Sequence, residues 1–242
     1  MIRSLLPSLL LSGVLFGLLS GCVTETGNPE LDVQLRAGAN SSRDRVAVSS
    51  LPTVTVESAW VILGDVRLVE GSACDTPDEI EHTAEGPFET NLLAEVPEVI
   101  HIPAVGTDYC RVRVRLDDAN GLAAGPDGLD DHSVYLSGTR GDGLPFVIRS
   151  RSGFEVDLRS RGEPFSLEVG AADLLLAFDL GTWLDGVDLD GATPTDGVVT
   201  VDEDHEPDLL DAFEDAVDAA MALHRDPGSD GQLDDDDELL AD

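Results

Sequence analysis

The stretch Tyr109–Leu116 reads Tyr-Cys-Arg-Val-Arg-Val-Arg-Leu, and it decides the fold class. Arginines stand at every second position, and the cysteine, valines and leucine stand at the positions between them. Because successive side chains of a β-strand point to opposite faces, this pattern predicts a strand with one polar and one apolar face. Such a strand covers a core on one side and contacts water on the other.

Further stretches of alternating or apolar residues lie on both sides of this strand, between residues 51 and 180. Clusters of glycine, aspartate and proline separate them, as at Gly138–Gly143 and Ser160–Pro164, and such clusters favour turns. Short strands joined by turns, without helical stretches between them, are typical of an antiparallel β-sandwich. The predicted strands are residues 53–57, 59–63, 65–70, 109–116, 133–137, 145–149, 154–158 and 165–169.

Residues 1–21 have the pattern of a secretory signal peptide. Arg3 supplies a positive start, and the apolar stretch of about 15 residues that follows is shorter than the ~20 that a membrane-spanning helix needs. The stretch ends in Leu19-Ser20-Gly21-Cys22, which resembles the lipobox of bacterial lipoproteins. The resemblance implies that Cys22 carries lipid and begins the mature chain. The alternative is an ordinary signal peptide that leaves a free cysteine.

Residues 22–50 are predicted to be a lipidated tether. Most of this stretch is small or polar, as in flexible linkers, and only Glu30–Arg36 alternates like a strand. Val23 follows the lipobox cysteine. In Gram-negative lipoproteins an aspartate there favours retention at the inner membrane, so the resemblance implies an outer-membrane location.

Cys74 and Cys110 are the remaining cysteines. An exported chain folds in an oxidising compartment, where an even pair of cysteines usually bridges, so we expect a disulfide between them. Two buried free thiols are the alternative.

The formal charge of the chain is −35, from 49 acidic residues and 14 arginines, with no lysine. A nucleic-acid-binding protein needs cations against phosphates, so this charge excludes that class. It also excludes attachment to anionic lipid through a basic patch. The acidic residues concentrate in residues 185–242, where Arg225 is the one basic residue apart from two histidines.

Asp226–Asp237 resembles the calcium-binding loop of EF-hand proteins, with Gly231 at the position of the sharp turn. Gly228 stands where the family has a side-chain ligand, and position 12 is Asp237 instead of the longer glutamate. Both departures weaken the match. The predicted calcium ligands are the carboxylates of Asp226, Asp230, Asp234 and Asp237 and the backbone carbonyl of Gln232.

An amphipathic helix over residues 206–225 is predicted to enter this loop, as EF-hand geometry requires. A second, weaker loop with four extra residues lies upstream, and the two loops are expected to pair through short strands around Val199 and Leu233. Asp- and Gly-rich turns without calcium are the alternative. The predicted ligands of the upstream loop are Asp188, Asp190, Asp196 and Glu203.

The whole chain resembles uncharacterised lipoproteins of myxobacteria and similar Gram-negative bacteria. In these proteins a lipobox and a Thr-Gly-Asn-Pro-like stretch, here Thr26–Pro29, precede a β-domain. That family has no established activity, so the resemblance implies location and fold and does not imply a function.

Together these patterns predict a mainly β protein: an antiparallel β-sandwich over residues 51–180, then a small acidic helical EF-hand-like module over residues 181–242. We expect a membrane-anchored envelope protein with a structural or binding role, whose C-terminal module calcium stabilises. The alternative is a sandwich that binds surface polysaccharide or an envelope protein without calcium. An enzyme is the least favoured class, since Gly-x-Ser-x-Gly, His-Glu-x-x-His and phosphate-binding glycine loops are absent from the sequence.

Overall fold

The computed structural model describes residues 30–39, 54–75, 80–105, 108–118, 120–121, 124–167 and 171–242. These residues form two β-sheets and two helices, which confirms the mainly β class. The strands are β1 Glu30–Ala39, β2 Thr55–Glu70, β3 Glu81–Asn91, β4 Ile100–Val105, β5 Asp108–Leu116, β6 Val134–Thr139, β7 Pro145–Ser150, β8 Phe154–Arg159, β9 Phe165–Ser166, β10 Ala171–Phe178, β11 Val199–Val201, β12 Met221–Arg225 and β13 Glu238–Ala241, and the helices are α1 Leu180–Leu184 and α2 Pro207–Asp218.

The larger sheet has eight strands, in the order β11-β7-β6-β2-β5-β8, with β3 paired to β2 and β9 paired to β5. The smaller sheet has the order β13-β12-β10-β1-β4. Apolar side chains from both sheets belong to one core, for example Leu35 and Leu174 from the smaller sheet and Leu68 and Val112 from the larger. The two sheets therefore face each other across a shared interior.

The strand β5 confirms the pattern that decided the fold class. Val112 and Val114 are fully buried in the core, and the three arginines between and beside them are only partly buried. The strand pairs with β2 on one side and with β8 on the other, so it lies inside the larger sheet.

The strand β2 is a single strand of 16 residues where the sequence predicted three short strands. Its pairing register shifts between Val56 and Ser58 and again between Leu63 and Asp65. A β-bulge inserts an extra residue and so interrupts the two-residue alternation. The interruptions divide one strand into segments that look separate in the sequence.

The strand β1 corrects the prediction of a tether over residues 22–50. Residues 30–39 lie inside the smaller sheet, parallel to β10 and antiparallel to β4, and Val33, Leu35 and Ala37 enter the core. The rest of that stretch, like the signal peptide, lies outside the described residues. A second parallel pair joins β11 to β7, so the sheets are mixed and not purely antiparallel.

The C-terminal region is not a separate helical module, because its strands belong to both sheets. The predicted helix ends at Asp218, and residues 221–225 form β12, which pairs with β10. Leu223 of β12 lies opposite Leu176 of β10, and both side chains belong to the core. Pairing with β10, which is distant in the sequence, therefore overrides the helical spacing of these residues. The strand around Val199 pairs with β7, so the predicted pairing of Val199 with Leu233 is wrong.

The two helices pack against one another and against the larger sheet through α2. Trp183 of α1 is fully buried and makes edge-to-face contacts with Phe178 and Phe213, at centroid distances of 5.8 Å and 5.7 Å. Asp179 begins α1 by accepting hydrogen bonds from the backbone N–H groups of Gly181 and Thr182. In the part of the chain that the structure describes, no helix has the length and hydropathy needed to span a membrane.

Candidate functional site

The expected disulfide is present. Cys74 follows the end of β2, Cys110 lies in β5, and their Cα atoms are 5.1 Å apart. Cys110 is buried and Cys74 is partly exposed. Cys22, the predicted lipidation residue, lies outside the described residues.

The predicted calcium loop, residues 226–237, joins the strands β12 and β13 and not two helices. It folds back against the outer side of the smaller sheet. A Cβ atom added to Gly38 of β1 would lie 2.9 Å from the carbonyl oxygen of Gly231, so only glycine permits this close approach. Gly231 has a positive φ of 70°, as the sharp turn of a calcium loop requires.

Asp226 is the buried residue of this loop, with 1% of its surface exposed. Its Oδ2 accepts a hydrogen bond of 2.9 Å from the backbone N–H of Gly231, and its own N–H donates to the carbonyl of Asp173. Among the described residues, no arginine or histidine forms an ion pair with this carboxylate. A buried carboxylate without a cationic partner is energetically costly.

The other predicted ligands of the loop are exposed or half-buried. Asp230 and Asp234 each accept a hydrogen bond from a backbone N–H two residues further on, and Asp237 accepts one from the N–H of Asp234. Gln232 is exposed. Burial raises the pKa of Asp237, and repulsion from Asp234 and Asp226 raises it further, although a hydrogen bond from the Asp234 backbone opposes them. The loop therefore concentrates negative charge around its closing residue.

The upstream loop does not bring its four predicted ligands together. Asp188 accepts a hydrogen bond from the N–H of Gly191 within its own turn. Asp190 lies 3.3 Å from the Arg140 guanidinium, Glu203 accepts from the N–H of Arg151, and Asp196 is exposed at a turn with a φ of 53°. Three of the four side chains therefore serve separate contacts, and Asp196 is exposed. Within the described ranges, no three histidine, cysteine, aspartate or glutamate side chains converge in a geometry able to hold a metal ion.

An ion-pair cluster that is centred on a buried carboxylate, Asp202, was missed by the sequence analysis. Asp202 is 4% exposed, and its Oδ1 accepts hydrogen bonds from the backbone N–H groups of Asp204 and His205 and contacts the His205 ring at 2.8 Å. Its Oδ2 pairs with the Arg149 guanidinium. Burial alone would raise the pKa of Asp202, but these bonds outweigh it and lower the pKa to about 2. No local pattern signals this cluster, because Arg149 is 53 residues away.

The outer side of the larger sheet carries a group of arginines on three neighbouring strands, which we call the arginine face. Each of its members has at least one carboxylate as an ion-pair partner, and two members have several: Arg67 pairs with Asp65, Glu81 and Glu155, and Arg115 pairs with Asp65 and Asp117. Burial would raise the pKa of Asp65, but its bonds to Arg67 and Arg115 lower it overall. The arginine face consists of Arg67 of β2, Arg111, Arg113 and Arg115 of β5, and Arg159 of β8.

One end of the arginine face borders a cleft of about 200 Å³. The disulfide, Arg111 and Arg159 line it, together with residues of the turn that follows β8. Arg111 and Arg159 are directly opposite one another on the paired strands β5 and β8. Two cations and a disulfide therefore share one small concave surface.

In comparisons with known protein families, with curated proteins and with solved structures, this chain has no match. The functional argument therefore depends on the residues of this chain alone.

Proposed function

We propose that this protein is a lipid-anchored protein of the cell envelope, held at the outer membrane through Cys22, with a structural or binding role. The proposal assigns it no catalytic residues. It also assigns calcium to the loop of residues 226–237, where the ion stabilises the fold. The fully integrated β-sandwich, the disulfide typical of oxidising compartments and the strongly acidic surface all fit an exported protein of this kind.

The burial of Asp226 is the observation that carries the calcium assignment. Its carboxylate is nearly inaccessible and has one backbone donor, while Asp230, Asp234 and Asp237 follow on the same loop. Oxygen ligands of this kind suit calcium, and a divalent ion would offset both the burial of Asp226 and the mutual repulsion of its neighbours. In the structure these carboxylates accept hydrogen bonds from backbone N–H groups of the loop, so calcium binding requires the loop to rearrange.

We expect calcium to raise the melting temperature of the protein. Calcium at a hundred times its dissociation constant adds about 2.7 kcal/mol to stability. For a chain of this size that corresponds to a rise of about 5–10 °C. The measurement is a thermal melt of chelator-treated protein in detergent, with and without millimolar calcium.

The loop itself supplies a matched control for this melt. Asp226→Asn together with Asp230→Asn removes two predicted ligands and should abolish the rise. Asp235→Asn together with Asp236→Asn makes the same change in charge at two exposed residues of the same loop and should preserve the rise. Coincident melts of the unchanged protein with and without calcium would refute the assignment, and so would an equal loss of the rise in both double variants.

The anchor is tested separately from calcium. Cells that express the full chain should incorporate labelled palmitate into the protein and retain it in the membrane fraction. Cys22→Ser should abolish both the label and the membrane retention, because the acyl chains supply the anchoring energy of about 0.8 kcal/mol per buried CH2. Membrane retention of the unlabelled Cys22→Ser variant would contradict lipid anchoring. Cys74→Ser is the control substitution, and it should leave the label in place.

A further inference from the structure

The pairing of the arginine face is least complete where the face borders the cleft. Arg67 lies near three carboxylates and Arg115 near two. Of the described carboxylates, Arg113 pairs with Glu81 alone. Arg111 and Arg159 share the single carboxylate of Asp157, from which Arg111 remains 3.5 Å away. Among the described residues, these two guanidiniums have one carboxylate as an ion-pair partner, and a second carboxylate, that of Asp75, lines the same cleft without pairing to either.

Arg111 is the clearest unsatisfied member of the pair. Its Nη1 is 3.5 Å from Oδ2 of Asp157, beyond a good hydrogen bond between these atoms, and its side chain makes no hydrogen bond within the part of the chain that the structure describes. The side chain is 19% exposed and lines the cleft. A guanidinium has five N–H donors in a planar fork that matches carboxylates, phosphates and sulfates. Oδ1 of Asp157 is buried and has no hydrogen-bond partner among the described residues, so it competes for these donors, and the remaining donors of Arg111 are available to a ligand in the cleft.

Arg159 adds a second cation to the same cleft. Its Nε and Nη2 both donate to one oxygen of Asp157, at 3.0 Å and 2.7 Å, and its side chain is 66% exposed. Like charges directly opposite one another on paired strands destabilise a sheet. Asp157 is the one described carboxylate that this pair shares, so its single negative charge offsets one of the two positive charges.

We infer that the cleft between Arg111 and Arg159, beside the Cys74–Cys110 disulfide, binds an oxyanion group: a carboxylate, phosphate or sulfate. The inference deepens the proposed binding role and rests on it. Its volume of about 200 Å³ is below the 300–1,000 Å³ of pockets for drug-sized ligands and suits one charged group or one acidic sugar unit. The ligand is either a free anion or an acidic polysaccharide that presents the same group.

Asp75 defines the selectivity of this site. It is exposed, it lines the same cleft, and its carboxylate opposes an incoming anion. Among the described residues, the arginine pair attracts an anion, and the carboxylates of Asp75 and Asp157 oppose it. Removing the Asp75 carboxylate should strengthen binding, whereas removing either arginine should weaken it.

The test is isothermal titration of the oxidised full-length protein, in detergent, with inorganic phosphate, inorganic sulfate, trigalacturonate and uncharged maltotriose. For each anion that binds the unchanged protein, the affinity of Arg111→Gln and of Arg159→Gln should be lower by about tenfold or more. This is the loss expected for one charge-assisted hydrogen bond. The same anion should bind more tightly to Asp75→Asn, and its affinity should fall as salt rises. Arg151→Gln is the matched control: Arg151 is exposed and remote from the cleft lining, and its loss changes the charge equally.

The titrations also separate the two sources of the ligand. If trigalacturonate binds and the inorganic anions do not, the site is supported and its ligand is an acidic polysaccharide. If phosphate or sulfate binds and trigalacturonate does not, the site is supported and its ligand is a free anion. Failure of all three anions to bind overturns the inference, as does equal affinity for Arg111→Gln, Arg159→Gln and Arg151→Gln. Binding of maltotriose alone overturns the anion site but leaves a binding role for the protein. Melts of each variant confirm that it is folded.

Discussion

Replacing Asp202 with asparagine is expected to lower the free energy of unfolding by about 2–4 kcal/mol. The substitution keeps the size of the side chain but removes the charge that Arg149 and His205 contact. The Arg149 side chain is 30% exposed, so water replaces only part of the interaction that it loses with Asp202. Arg149 lies in β7 and His205 follows β11, and the cluster therefore joins the edge of the larger sheet to the start of α2. Chemical denaturation at neutral pH measures the loss.

The pH dependence of this effect has a defined sign. The folded-state pKa of Asp202 is about 2, against 3.8 for the ordinary group. A carboxyl with a lowered pKa adds stability that is fully present above its unfolded pKa and is lost as pH falls through its folded pKa. A shift of this size contributes about 2 kcal/mol. The stability gap between the unchanged protein and Asp202→Asn should therefore narrow as pH falls from 5 to 2.

Asp204→Asn is the matched control for Asp202. Asp204 is two residues away and exposed, and its replacement makes the same change in net charge. It should lower stability by no more than about 0.5 kcal/mol, the usual limit for a surface substitution. Equal losses in the two variants, or a gap that stays constant down to pH 2, would show that the ion-pair cluster does not supply this stability.

Loss of the Cys74–Cys110 disulfide is expected to lower stability by about 3–4 kcal/mol. The bridge closes a loop of 36 residues that contains β3 of the larger sheet and β4 of the smaller sheet. The disulfide therefore keeps the end of β2 and the start of β5 close together in the unfolded chain. Denaturation of the double variant Cys74→Ala and Cys110→Ala measures the loss.

A reducing agent supplies the control for the disulfide. It should destabilise the unchanged protein by about the same amount as the double substitution and should leave the double variant unaffected. A double variant that matches the oxidised protein in stability would contradict the prediction. A further loss when that variant is treated with reductant would show that the agent acts elsewhere.

The sequence predicts best the strands that have one polar and one apolar face. Residues 111–116 have the expected faces, and the disulfide that includes Cys110 is present. Tyr109 departs from the alternation and is buried in the core, at a point where the register of β5 against β2 shifts. The sequence predicts least well the strands that are covered on both sides. The strand β10 reads Ala-Ala-Asp-Leu-Leu-Leu-Ala-Phe and has no alternation, because Leu174 faces the core while Leu175 is buried outside it. A continuous apolar stretch does not distinguish a strand from a helix by its period.

The error in the C-terminal region has a related cause. Residues 206–225 have helical spacing throughout, and yet the last five form β12 because β10 offers them a pairing partner. That partner is about 45 residues earlier in the chain, so no local pattern reveals it. The candidate sites also differ in whether a local sequence pattern reveals them. The loop of residues 226–237 was visible as a motif, whereas the pairing of Arg111 with Arg159 depends on the register of two strands.

The position of β1 between two other strands has a mechanical consequence for an anchored protein. Glu30 is eight residues after Cys22, so in a lipid-anchored chain a pull from the membrane enters the sandwich at the first residue of β1. This strand is bonded to β10 on one side and to β4 on the other. Its ladder bonds run across the strand direction, so a force along the strand loads both ladders in shear. Many bonds must then break together, whereas a hairpin pulled from its open end would unzip one bond at a time.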